Sequence, residues 1–194
     1  MGRLVDVRRR TELLDGVVAH VAEHGIAGVS LRPMAKSLGV SVNALVHHFG
    51  TKEDIVVAAL RRAVEVQEDV QARWTSRNPE LSQAELLRRW WRWINSSAEN
   101  LALVRLGIEA AALDATATGL PGQVRADQIG LWRSNIEQRL IAEGIHADIA
   151  SVEASLVKAM FTGLVVDLLA TGERRRLTRA LDVGLARLDH VPTI

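Results

Sequence analysis

Cysteine and tyrosine are absent from this chain of 194 residues, proline occurs four times, and aromatic side chains make up 4% of it. Without thiols there is no disulfide framework and no thiolate metal site. That absence fits a reducing, cytoplasmic location. No apolar run reaches the ~18 residues of a membrane span, so no membrane partner is expected. The start, MGRLVDVRRR, carries charge with no apolar stretch behind it and does not read as a secretion signal. Sustained apolar–polar alternation, fixed-period repeats and low-complexity segments are missing too, which leaves helical periodicity as the organising signal.

Hydrophobic residues reach 48% and charged residues 24%, a globular composition. The net charge of +1 hides a division along the chain. Residues 1–62 hold nine Lys/Arg against six Asp/Glu, while residues 63–194 hold fifteen against seventeen. Four of the six histidines lie in the first part and all five tryptophans in the second. The basic excess is modest, but it sits where a nucleic-acid contact is expected from the motif below.

Leu13, Leu14, Val17, Val18 and Val21 give residues 7–24 one apolar face, and Gly25 stops that helix. Ser30 is placed to cap a second helix over 31–38, with Pro33 in its first turn, where a missing N–H is tolerated. Gly39 ends it, and Ser41 caps a third helix to about His48. Thr51 and Asp54 make a capping-box-like start for a long fourth helix, which Asn78-Pro79 breaks. Five more helices are expected, at about 82–98, 101–115, 121–143, 148–171 and 174–190. The fold class is all-α with about nine helices. Residues 1–50 form a three-helix head, 51–74 a connecting helix, and 75–194 a ligand-binding and dimerisation body.

Two short helices joined by a tight glycine turn make a helix-turn-helix. Ala35 is small where the two helices cross, Leu38 and Val40 close the turn, and Leu45 and Phe49 pin the third helix to the first. Val42, Asn43, Ala44 and His47 are then expected to face outward. A short helix of this kind enters the major groove with its N-terminal residues at base edges. Val42 and Ala44 suit thymine methyls, and Asn43 suits an adenine edge.

The run from Ala27 to Leu60, AGVSLRPMAKSLGVSVNALVHHFGTKEDIVVAAL, resembles the DNA-binding head of the TetR family of bacterial transcriptional regulators. The resemblance implies a homodimer on a palindromic operator, acting as a repressor that a small molecule in the body releases from double-stranded DNA. It places Arg8, Arg9 and Arg10 before the first helix as phosphate contacts, Ser30 and Arg32 near phosphate at the start of the second, and His47 and Lys52 on phosphate from the other side. It assigns base reading to Val42, Asn43 and Ala44. Two positions depart from the pattern. Val46 stands where the family commonly has a tyrosine that bonds the DNA backbone, and losing one such neutral hydrogen bond costs on the order of 1 kcal/mol. Pro33 stands where an acidic residue is frequent.

In the body, Trp90, Trp93, Trp132, Met160 and Phe161 are candidate walls of an apolar effector pocket, and Asn95, Glu109, Gln128 and Thr162 are candidate polar groups within it. Plain core packing is the alternative for each tryptophan. Asp167 has three possible partners: a cationic ligand, an arginine across a dimer, or solvent, with solvent favoured. The last two helices carry the expected dimer interface, Leu156, Gly163, Leu164 and Leu168 on one and Leu177, Leu181, Gly184, Leu185 and Leu188 on the other.

His20 and His24, four apart on one helix, lack a third ligand, so no metal is expected. His48 is open between packing and DNA contact. No cofactor is expected, and no zinc spacing, phosphate loop or nucleophile elbow argues for an enzyme. An effector-independent regulator of the same fold, or a helical carrier or enzyme, are the alternatives to a ligand-responsive regulator.

Overall fold

The structure, a computed structural model, describes the backbone of residues 2–114 and 122–191 and the side chains of residues 8–112, 132–188, 190 and 191. Among these the chain forms α1 (Gly2–His24), α2 (Leu31–Ser37), α3 (Val42–Phe49), α4 (Lys52–Arg77), α5 (Gln83–Ile94), α6 (Ala98–Asp114), α7 (Gly122–Ala142), α8 (Ala147–Thr171) and α9 (Arg174–Leu185), with no strand. A short 3₁₀ turn, Leu188–His190, follows. The last expected helix, 174–190, therefore ends early, at Leu185.

The helices gather into two compact units that differ from a 1–50/51–74/75–194 division. One holds residues 1–69 and 98–125, the other residues 70–97 and 126–194. The reason is α6. Its Leu106 and Ala110 enter the core formed by Val17, Val21, Met34, Leu45 and Ile55, which draws α6 into the unit that contains the first three helices. All five tryptophans belong to the other unit.

In the first unit the expected packing is present. Ala35, Leu45 and Phe49 are buried, and Leu38 and Val40 are half-buried against the same core. Burying a leucine side chain such as Leu45 is worth about 1.5–3 kcal/mol. Gly25 takes a left-handed φ of 74°, and a Cβ there would lie 3.2 Å from a Glu109 carboxylate oxygen. That closeness belongs to a clamp. Glu109 of α6 accepts the Ile26 N–H at 2.9 Å and pairs with Arg105 at 3.0 Å, while Arg105 donates to the Ala22 carbonyl at 2.5 Å. One Arg and one Glu, four apart on α6, thus satisfy groups at the end of α1 that have no partner within that helix.

The second unit repeats the device. Arg139 of α7 donates to the Leu81 carbonyl, and Glu143, again four residues on, accepts the Gln83 N–H at 2.5 Å at the start of α5. Burial pushes the Glu143 carboxyl above its ordinary pKa, against the opposing pull of the Gln83 N–H and Arg139. Ser82 and Glu85 close a reciprocal capping box at the same helix end.

α8 and α9 form a hairpin through Gly172. Its antiparallel register is set by Arg176 on Asp167 at 2.8 Å, by Met160 against Gly184, and by Arg187 on Glu153 at 3.0 Å. α8 is apolar on two faces. Ala150, Ala154, Val157, Phe161, Val165 and Leu168 point into the unit and are buried. Ile149, Val152, Leu156, Ala159, Gly163 and Val166, spaced alternately by three and four, are exposed. Together they make α8 long and apolar enough to cross a membrane by length and composition, with a window of mean hydropathy 1.6, although Glu153, Lys158 and Asp167 lie along it.

Candidate nucleic-acid interface

α3 starts on Ser41, whose hydroxyl accepts the Ala44 N–H at 3.1 Å, and α4 starts on Thr51. There Asp54 accepts both the Thr51 N–H, at 2.9 Å, and the Thr51 hydroxyl, at 2.8 Å, which holds its carboxyl below the ordinary range. Gly50 links the two helices at φ 90°, and a Cβ there would meet Asp54 at 2.6 Å. These caps fix the direction of α3 and leave its outer face free.

That face matches the expected one at Asn43 and His47 and differs at Val42, Ala44 and Val46. Val42 is half-buried and packs against the core of its unit, because it sits one turn from Leu45 on the same side. Ala44 is also half-buried. The exposed side chains of α3 are Asn43, Val46 and His47, which share one face by their spacing of three and four. Val46, read from the sequence as a departure, is 43% exposed beside Asn43. The small outward surface is therefore centred on Asn43 and Val46.

The cations around it fall into two groups. Arg9, Arg32, His47 and Lys52 are exposed, and Ser30 occupies the position before α2 without a capping bond from its side chain, so its hydroxyl is not spent on the helix. Arg8 instead pairs with Glu12 at 2.9 Å. Arg10 folds back: its guanidinium lies 5.2 Å from the Phe49 ring centre and its Nε donates to the His48 carbonyl at 3.4 Å, tying α1 to the end of α3. His48 is half-buried, with its ring 6.1 Å from that of Phe49.

His20 is buried at 6% exposure, its Nδ1 3.0 Å from the Ser37 hydroxyl and its ring stacked on His24 at 4.2 Å. The Ser37 hydroxyl also bonds the Met34 carbonyl, at 2.9 Å, so the contact joins α1 to the last turn of α2. Burial, then the neighbouring His24, lowers the His20 pKa, opposed by Glu23. Among the described residues no group of three or more His, Cys, Asp or Glu could hold a metal ion.

The pocket candidates scatter. Trp91, Trp132 and Phe161 form one aromatic cluster, with Phe161 edge-on to Trp91 at 5.7 Å and to Trp132 at 5.3 Å. Trp91, which is not among the pocket candidates, is anchored by an indole N–H bond of 2.8 Å to Thr178. Trp90 and Trp93 stack at 4.6 Å in a second cluster with Trp74. Met160 fills the space over Gly184. Asn95 caps the end of α5, and one side-chain oxygen is buried without a partner among the described residues. Thr162 is half-buried on α8. Glu109 is engaged in the α1 clamp, in the unit that does not hold the tryptophans. Gln128 lies outside the residues whose side chains are described.

The interface candidates divide as well. Leu168, Leu177, Leu181 and Leu185 are buried inside the hairpin's own unit, and Gly184 makes room for Met160, so none of these presents a free surface. Leu164 and Leu188 are half-buried. Leu156 and Gly163 are exposed, and a Cβ added to Gly163 would meet nothing within 4 Å. Asp167 has a partner in its own hairpin: Arg176 grips both carboxylate oxygens, at 2.8 and 3.0 Å, and lowers its pKa.

Residues 13–59 match the family of bacterial regulatory proteins, tetR family. The HTH-type transcriptional repressor AcnR of Corynebacterium efficiens is 40% identical over 55 residues, 28% of this chain and 29% of that protein. A transcriptional regulator from Rhodococcus sp. RHA1 superposes with a TM-score of 0.74 at 26% identity, over 92% of this chain and 95% of that one. A protein from Saccharomonospora viridis crystallised with choline shares the fold, with a TM-score of 0.70 at 20% identity over 92% and 94% of the two chains.

Proposed function

We propose, on the premise that residues 13–59 are the DNA-binding segment of a TetR-family transcriptional regulator, that this chain is a cytoplasmic repressor whose α3 reads a palindromic operator and which a small, largely apolar effector releases. The observation that carries the reading is the free face of α3. Asn43 and Val46 stand exposed on a helix whose caps and buried side are otherwise occupied. A carboxamide and a small apolar group suit an adenine edge and a thymine methyl in the major groove. Ser30, Arg32, His47 and Lys52 supply donors around them for phosphate, with Arg9 preceding. Val42 and Ala44 support the close approach of the helix from its inner flank.

A palindrome calls for a two-fold dimer. The exposed seam of α8, from Ile149 through Leu156 and Gly163 to Val166, is the face we assign to it. Alternating spacing of three and four is the pattern of helices that pair along their length, and Gly163 allows close approach. The effector would lie against the Trp91, Trp132 and Phe161 cluster, with Thr162 beside it.

Selection of the full-length protein on random duplex DNA tests this. A palindrome with half-sites about one helical turn apart, roughly 34–36 Å, is expected. Asn43→Ala should change the bases preferred. Lys52→Ala should weaken every sequence alike and lower the salt slope by about one. A selection that yields no palindrome, or preferences that neither substitution alters, would refute α3 as the reader.

A further inference from the structure

The side of α5 that does not enter the core carries Glu85, Arg88, Arg89 and Arg92, and with Leu81 these line a groove of about 260 Å³. Sites for drug-sized ligands begin near ~300 Å³ and are mostly apolar. This groove is smaller and is walled by three guanidinium groups, so it suits a small anion rather than an apolar effector.

The charges are unevenly spent. The Glu85 carboxylate is taken up at the start of α5, accepting the Ser82 N–H at 2.8 Å and its hydroxyl at 3.1 Å. Arg88 reaches Asp182 of α9 at 3.3 Å. Arg89 lies 5.5 Å from the centre of the Trp74 ring, a contact that orients the guanidinium without neutralising it. Arg92 only touches the Arg88 carbonyl, at 3.5 Å. Among the described residues, then, Arg89 and Arg92 have no carboxylate partner, and both line the groove beside Arg88.

A carboxylate has two oxygens and is satisfied by one guanidinium fork. A tetrahedral phosphate presents oxygens in several directions and can take forks from several arginines at once. We infer that the α5 groove is a binding site for a phosphate group, free or carried by a small molecule, held by Arg88, Arg89 and Arg92. It is separate from the aromatic cluster assigned to the effector, since Trp91 occupies the buried side of the same helix.

Calorimetric titration of the full-length protein with inorganic phosphate, against chloride at matched ionic strength, tests the site. Saturable binding of one phosphate per chain is expected. It should weaken about ten-fold or more in Arg89→Ala and in Arg92→Ala, the effect of losing one charge-assisted hydrogen-bonded partner. Arg89→Lys should fall between, keeping the charge but losing the fork. Arg77→Ala, outside the groove, should bind as the parent does. A parallel titration with glycerol 3-phosphate identifies the source: tighter binding than inorganic phosphate indicates a carried group, equal binding the free ion. A non-saturating response, an equal response to chloride, or unchanged binding in both groove variants overturns the inference. So does loss of DNA binding in those variants with phosphate binding intact. Circular dichroism of each variant confirms that it is folded.

Discussion

The Glu109 carboxylate accepts the Ile26 amide hydrogen at 2.9 Å, joining residues 83 apart in sequence. Its partner Arg105 holds the carbonyl of Ala22 on the preceding turn of α1. Glu109→Ala would leave the amide without its acceptor and Arg105 without its counter-charge. A loss of about 1.5–3 kcal/mol is expected for a hydrogen bond to a charged group, measurable as a lower urea midpoint at unchanged m-value. Glu109→Gln, which keeps an acceptor oxygen, should recover part of it.

Glu143 occupies the equivalent place on α7 with a different balance. Its pKa is raised by burial, so the folded state disfavours the charged form. A carboxyl whose folded pKa exceeds the unfolded value binds more protons in the folded state, and stability therefore falls as pH rises through that window. Glu143→Gln keeps the acceptor for Gln83 and removes a charge that is partly desolvated in the folded state. It should be at least as stable as the parent at pH 7 and lose that advantage as pH falls below the ordinary glutamate range. Glu143→Ala should be less stable at both. Thermal melts across pH compare the three.

His20 predicts the opposite slope in the acid range. Its folded pKa is lowered, so below pH ~6.5 the unfolded chain takes up a proton that the folded chain resists. The neutral ring's contribution is complete above that pH and declines as pH falls toward the folded pKa. His20→Asn, which offers an N–H to Ser37 but cannot titrate, should flatten this part of the melting-temperature profile. An unchanged profile would place the titration elsewhere.

Gly163 separates folding from assembly. A Cβ at this position meets nothing within 4 Å in its own chain. Gly163→Ala should raise helix stability by up to about 1 kcal/mol. Gly163→Trp should leave the chain folded but keep two α8 seams apart, giving a monomer in light scattering and weakened operator binding. A dimer that persists with tryptophan there would move the interface off this seam.

The helix order and the turn glycines were legible because their causes are local. Gly25 and Gly39 end helices with positive φ, where the sequence placed stops. The stripe of Leu177, Leu181 and Leu185 was legible as a buried face, but periodicity does not say what covers it; α8 of the same chain does. The exposed seam of α8 was hidden for a related reason. With apolar residues on two sides, nothing in the sequence distinguishes the face turned inward from the one left free. The half-buried setting of Val42 was not legible because a helix as short as α3 has little surface, and one residue of rotation separates Val42 against the core from Asn43 in solvent. The two Arg–Glu clamps had no sequence signal beyond a spacing of four, since their partners are backbone groups far along the chain. Arg10 shows the same limit: its motif indicated phosphate, while Phe49 offered a nearer partner.

The confinement of every tryptophan to one unit has an optical consequence. With no tyrosine in the chain, emission excited at the red edge of the tryptophan band, where Phe49 does not absorb, comes from residues 70–97 and 126–194 alone, and the unit that carries α3 is dark. Emission and far-ultraviolet ellipticity, followed together through a denaturant titration, therefore weigh the two units differently without any added label. Coincident curves would mean that they melt as one cooperative body; separated curves would yield a stability for each.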